Sequence, residues 1–162
     1  MKKILFFLLL VLPLFLVVSF YFLDKAYFLC PIDYKRDIVI RCDTRGNGFF
    51  SAKRNGNRAH EGIDLFADIG TPVKACRLGL VVNAAENKGM GKFVVIRHGG
   101  NLITIYGHLS AIYVRKNQVV RQGYIVGRVG KTGNANYRDI MPHLHFEIRR
   151  NGVPQDPLEY ME

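Results

Sequence analysis

From Thr71 to Tyr106 the chain repeats one pattern, a short run rich in β-branched and aromatic residues followed by a turn of glycine and asparagine. The runs are Thr71-Pro72-Val73, Gly79-Leu80-Val81-Val82, Lys92-Phe93-Val94-Val95-Ile96 and Leu102-Ile103-Thr104-Ile105-Tyr106. Asn87-Lys88-Gly89-Met90-Gly91 and His98-Gly99-Gly100-Asn101, which lie between them, have hairpin turn chemistry. This succession reads as a β meander. Val119-Val120 and Tyr124-Ile125-Val126-Gly127 extend it with further short strands. The 16 glycines, 8 tyrosines and 11 phenylalanines suit short strands and tight turns, and 162 residues leave room for one modest domain plus an anchor. The expected fold is mostly β: a compact antiparallel β-sheet domain with a groove, preceded by an N-terminal transmembrane helix. The polar Gly- and Asn-rich stretches Arg45-Gly46-Asn47-Gly48 and Lys53 to Arg58 read as loops that rim the groove.

The N-terminus carries its own signal. Met1-Lys2-Lys3 precedes an apolar run from Ile4 to Leu23 interrupted only by Pro13, Ser19 and Tyr21. As a helix, this run spans about 30 Å, the thickness of a hydrocarbon core. No small-residue cleavage pattern follows at Leu23-Asp24-Lys25-Ala26-Tyr27, so an uncleaved anchor is preferred to a cleaved signal. The expected organisation is a cytoplasmic 1–3, a transmembrane anchor at 4–23, a linker at 24–44 and a domain at 45–162. Lys2 and Lys3 put the N-terminus in the cytoplasm and the domain on the outer side of the membrane; cleavage would make the protein secreted.

The net charge of +10 suits an anionic membrane surface or cell-wall polymer. No run of five basic residues and no aromatic-rich nucleic-acid motif occurs, so nucleic acid is not expected as a partner. Cys30, Cys42 and Cys76 form an odd set. Cys30 and Cys42 are the preferred disulfide pair, and Cys76 reads as a small buried side chain. None has the C-x-x-C spacing of a cysteine zinc site.

Chemistry concentrates at four of the five histidines. In Met141-Pro-His-Leu-His-Phe-Glu-Ile148, strand alternation turns Leu144, Phe146 and Ile148 to a core and puts His143, His145 and Glu147 on the opposite face. His60-Glu61-Gly62-Ile63-Asp64 holds a histidine and an aspartate four apart, which reach one metal only if the chain bends, and Gly62 suits a bend. It is not the helical H-E-x-x-H motif, because Asp64 stands where the second histidine belongs. His108 closes the fourth run, and His98 sits in a turn. Gly130-Lys131-Thr132 lacks the first glycine of a phosphate loop and reads as a turn. Two neutral histidines and a carboxylate satisfy a catalytic zinc site, which leaves a position for water; further histidines then manage protons. Chemistry alone leaves open which histidine does which job.

These motifs, in this order, resemble the lysostaphin-type zinc endopeptidases, also called LytM-domain or peptidoglycan endopeptidases. The resemblance covers Arg45 to Pro157: His60 to Asp64 is similar to the family's H-x-x-x-D, Tyr106-Gly107-His108-Leu109 to its central histidine motif, Gly130-Lys131-Thr132-Gly133 to its late turn and His143-Leu144-His145 to its H-x-H strand. It implies that His60, Asp64 and His145 bind one zinc ion and that His108 and His143 are the catalytic histidines. It further implies a zinc-dependent endopeptidase hydrolysing peptide bonds in peptidoglycan stems or cross-links. Some relatives have lost metal ligands, so the alternative is a non-catalytic, membrane-anchored wall-binding protein that activates another wall hydrolase.

Overall fold

Residues 27–54 and 56–161, with residues 11, 13 and 15, are described by a computed structural model. The strands in chain order are β1 (Cys42–Asp43), β2 (Gly46–Asn47), β3 (Ile63–Phe66), β4 (Pro72–Lys74), β5 (Gly79–Asn87), β6 (Gly91–Arg97), β7 (Leu102–Ile112), β8 (Val119–Val120), β9 (Ile125–Val129), β10 (His143–Arg150) and β11 (Val153–Gln155). Single 3-10 turns occupy Gly133–Ala135 and Pro157–Glu159. The expected antiparallel sheet is present, and the meander β5-β6-β7 forms its middle. Its continuous path runs β11-β10-β7-β6-β5-β8; β3 adds to β10, and β9 joins both β4 and β7. β1 and β2 form a separate hairpin.

Apolar alternation fixes which face is inside. Val81, Val94, Ile96, Tyr106, Leu144, Phe146 and Ile148 are fully buried in one cluster. Burying each large aliphatic or aromatic side chain contributes about 1.5–3 kcal/mol, which holds the register of the strands that carry them. Tyr106 and Phe146, paired across β7 and β10, also meet in a tilted ring contact at 5.3 Å between centroids.

Two expectations meet the structure differently, and a third lies outside it. The described part of the linker packs onto the domain: Phe28 and Ile32 are buried in the core, and Leu29 N–H donates to Cys76 O at 2.9 Å. Their apolar side chains have nowhere else to be shielded from water. No disulfide joins Cys30 and Cys42; all three cysteines are free, with Cys42 exposed on the β1 hairpin, Cys30 packed against the core and Cys76 buried as expected. The anchor expected at 4–23 lies outside the described residues apart from 11, 13 and 15, and among the described residues no helix is long and apolar enough to cross a membrane.

Candidate active site

β10 runs between β3 and β7, and its register builds the site. His145 stands opposite Asp64 on one neighbour and opposite Gly107 on the other, one residue before His108. Residues far apart in sequence therefore share one end of the sheet. Gly62 makes this possible by close approach, with no positive φ required: a Cβ there would collide with the Phe146 carbonyl of β10. The side chains of His143, His145 and Glu147 all face away from the core as the alternation requires, yet all three are buried. The opposite face is thus a second, polar interior, at a cavity also lined by Phe50, Arg54, Tyr137 and Ile140 from the segments that precede His60 and His143.

His60, Asp64 and His145 converge, each offering one ligand atom, and these atoms all lie within 4.8 Å of one another. His60 Nε2 is 3.1 Å from Asp64 Oδ1; His145 Nδ1 is 2.9 Å from the same oxygen and 3.0 Å from His60 Nε2. Two imidazole nitrogens and one carboxylate oxygen are the donor set of a catalytic zinc site, so these residues fit that metal. Their outward atoms are held too. His60 Nδ1 bonds the Phe49 carbonyl at 2.9 Å, and His145 Nε2 bonds Glu147 Oε1 at 3.0 Å. Each partner takes the N–H that the ring must keep, which directs the other nitrogen's lone pair into the site.

The electrostatics follow from this packing. Burial alone would raise the Asp64 carboxyl, but the bonds from His145 and His60 outweigh it and hold the group well below the usual carboxylate range. Burial works against a charge on His145, yet its bonds to Asp64 and Glu147 raise it to about 9. Metal binding at Nδ1 requires that ring to release a proton. Glu147 is held low by His145 and Arg149 despite its burial.

His108 and His143 flank the donors. Their ring centroids are 5.0 Å apart in an edge contact, and His108 lies 5.7 Å from His145. His143 Nε2 is 3.8 Å from Asp64 Oδ1. His108 Nδ1 donates to Thr132 O at 3.0 Å and His143 Nδ1 to Met141 O at 2.7 Å. Both therefore present an unprotonated Nε2. Burial pushes His143 down and, helped by the charges on His145 and His143, takes His108 to about 3. β7 does not end at His108; it continues to Ile112 past a register shift, and His108 takes φ 61°. A non-glycine residue in this left-handed region is strained by about 1–2 kcal/mol. The Thr132 turn that holds it is clamped against Gly91, where a Cβ would strike Thr132.

Sequence reasoning brought together all five residues that form this cluster. His98, read as a turn residue, stays out: its nitrogens bond Leu78 O and Thr104 Oγ1. What it did not find is the charged support. Arg41, itself buried, bonds Asp64 Oδ2 at 2.9 Å and Asp43 Oδ1 at 2.6 Å, and Asp43 Oδ2 accepts the Met141 N–H at 2.9 Å. Arg54 adds a second guanidinium on Asp64 Oδ2 at 3.1 Å. Behind His145, Glu147 passes to Arg149 at 2.7 Å and Arg149 to Glu61. Only Glu147 left a trace in the sequence, through its place on the face of the histidine pair; the arginines have no local signature.

Residues 58–157 match the sequence pattern of Peptidase family M23. Over 137 residues the chain is 40% identical to the peptidoglycan DD-endopeptidase ShyA of Vibrio cholerae, an alignment covering 85% of this chain and 30% of that protein. A crystal structure of a zinc-containing peptidase from Vibrio cholerae superposes with a TM-score of 0.67 at 30% identity, over 82% of this chain and 39% of that one. The catalytic domain of lysostaphin from Staphylococcus simulans gives a TM-score of 0.59 at 33% identity, over 74% of this chain and 91% of that one. The chain spans a third or less of the length of the curated relatives it matches, between 21% and 33%.

Proposed function

The chain belongs to peptidase family M23, and on that premise we propose that it is a zinc-dependent endopeptidase hydrolysing peptide bonds in peptidoglycan stems or cross-links. One observation carries this reading: three ligand atoms of His60, Asp64 and His145 meet within 4.8 Å, beside two further histidines whose free nitrogens face the same cavity. His60 Nε2, Asp64 Oδ1 and His145 Nδ1 would hold one zinc ion. Zinc bound there supplies Lewis acidity, which lowers the pKa of water from 15.7 to about 7 and polarises a carbonyl.

The remaining work falls to the protein. The cavity, about 940 Å³ in volume, seats the peptide over the histidines. One of His108 and His143, both kept neutral by burial, accepts the one proton lost as water attacks the carbonyl carbon. The same proton passes to the amine nitrogen as the C–N bond breaks. Thr132 O and Met141 O keep both rings in the tautomer that can accept at Nε2. The apolar run from Ile4 to Leu23 supports a tether at the bacterial cytoplasmic membrane, with this domain outside it.

The test is digestion of purified peptidoglycan by the zinc-loaded protein, with and without 1,10-phenanthroline, read by mass spectrometry of the released peptides. New peptide termini that vanish with the chelator are expected. His108→Ala should keep zinc and lose cleavage, and His60→Ala should lose both. Intact peptides under varied zinc and pH would remove the enzyme reading.

A further inference from the structure

The cavity over the histidines is lined by two chemically unlike parts of the chain. Residues between 41 and 61 contribute five cations, Arg41, Arg45, Lys53, Arg54 and Arg58. The stretches at 89–90 and 134–140 contribute no charged side chain; there the lining includes Met90, Ala135 and Tyr137. The cations of the lining thus come from one segment of the chain, while the other segments add uncharged surface.

Most of the cavity's charges are already engaged. Arg41 serves Asp43 and Asp64, and Arg45 pairs with Asp139. The lining carboxylates are equally occupied, Glu61 and Glu147 by Arg149 and Asp64 by Arg41 and Arg54. Lys53 and Arg58 differ: both are exposed, and among the described residues neither is paired with a carboxylate. Backbone pairing sets them on one hairpin with Arg54, through the Lys53–Ala59 bridge and the Arg54 N–H to Arg58 O bond of 3.0 Å. That hairpin leads directly into His60. Arg54 lies deeper, its side chain 24% exposed, with one terminal nitrogen on Asn47 O and the other on Asp64 Oδ2. A guanidinium carries five N–H donors, more than these two bonds use.

We propose that Lys53, Arg54 and Arg58 form a subsite for a substrate carboxylate. Resting on the peptidase reading above, this makes the preferred substrate an anionic peptide with a free carboxylate near the scissile bond, rather than a neutral chain such as oligoglycine. Partly exposed cations each contribute modestly and are screened by salt, and together they give about a tenfold preference at low ionic strength.

The experiment compares a cross-linked muropeptide with the same muropeptide after its carboxylates are converted to carboxamides. Binding of each to the full chain is measured by calorimetry with 1,10-phenanthroline present, and cleavage of each is measured with zinc. The wild-type protein is expected to bind the carboxylate form about tenfold more tightly, with the ratio falling towards one at high salt. Both Lys53→Glu with Arg58→Glu and the milder Lys53→Gln with Arg58→Gln should cut the ratio to about the twofold that Arg54 alone supports, with the change falling on the carboxylate form. Equal affinities in the wild type, or a ratio left undiminished by both double variants, would overturn the subsite. Failure to cleave either form, with the binding ratio intact, would remove the peptidase reading and leave the subsite standing.

Discussion

Acidification tests how deeply His108 is committed to its neutral form. The ring is 6% exposed, and burial with the charges on His145 and His143 lowers its pKa from 6.5 to about 3, against the opposing pull of Asp64 and the Thr132 carbonyl. Because the folded pKa is depressed, the unfolded chain alone takes up this proton between those two values. Above 6.5 the group has no effect; below it, stability falls as pH falls, with a slope of about 1.4 kcal/mol per pH unit. Taking the metal-free protein from about pH 7.5 to about pH 5 should therefore remove about 2 kcal/mol through His108 alone. The His108→Ala variant lacks that loss, and because His108 stays uncharged over this range, its removal does not alter the charge felt by His143 or His145. Urea unfolding of both proteins at both pH values isolates the quantity as a difference of differences. Parallel losses, agreeing within about 0.5 kcal/mol, would show that His108 is protonated freely in the folded protein and would refute its role as a buried neutral base.

Other perturbations probe the rest of the site. At 61° of φ, His108→Gly should unfold about 1 kcal/mol later than His108→Ala, since glycine alone relieves the left-handed strain; equal urea midpoints would count against that strain. Gly62→Ala forces a methyl group against the Phe146 carbonyl, so it should destabilise the domain by about 1–3 kcal/mol in thermal unfolding and weaken zinc retention by parting Asp64 from His145. Glu147→Gln leaves the His145 N–H with a neutral acceptor and should weaken zinc binding about 10–100-fold in competition with a chelator; unchanged affinity would show that Glu147 only fills space. Arg41→Met leaves Asp43 and Asp64 short of a buried counter-charge and should cost about 3–5 kcal/mol on unfolding in urea.

What could be read from one dimension was whatever is periodic or local. Runs of β-branched and aromatic residues marked β5, β6 and β7, alternation marked β10 because side chains on a strand repeat every second residue, and glycine-asparagine turns marked the hairpins of the meander. His60, Asp64, His108, His143 and His145 stood out because imidazole and carboxylate at strand ends are few and chemically costly to place without use. The resemblance grouped them into one site with proposed roles. The bend at Gly62 that lets His60 meet Asp64 was also legible, but not the register that sets His145 opposite Asp64, nor the close contact with the Phe146 carbonyl that leaves no room for a Cβ at Gly62. Likewise, β7 carries on beyond His108, because pairing with β9 supports it after the register shift.

The sequence by itself determined that this chain folds as an antiparallel β domain, since strand and turn patterns act residue by residue, and its resemblance to a known family singled out the five side chains that the fold then clusters. Tertiary structure alone decided how those side chains are charged and aimed. Arg41 reaches Asp64 across 23 positions, and His145 reaches the same carboxylate across 81. Burial and ion pairing are properties of the surroundings of a group, and those surroundings exist only once distant strands have been brought into register.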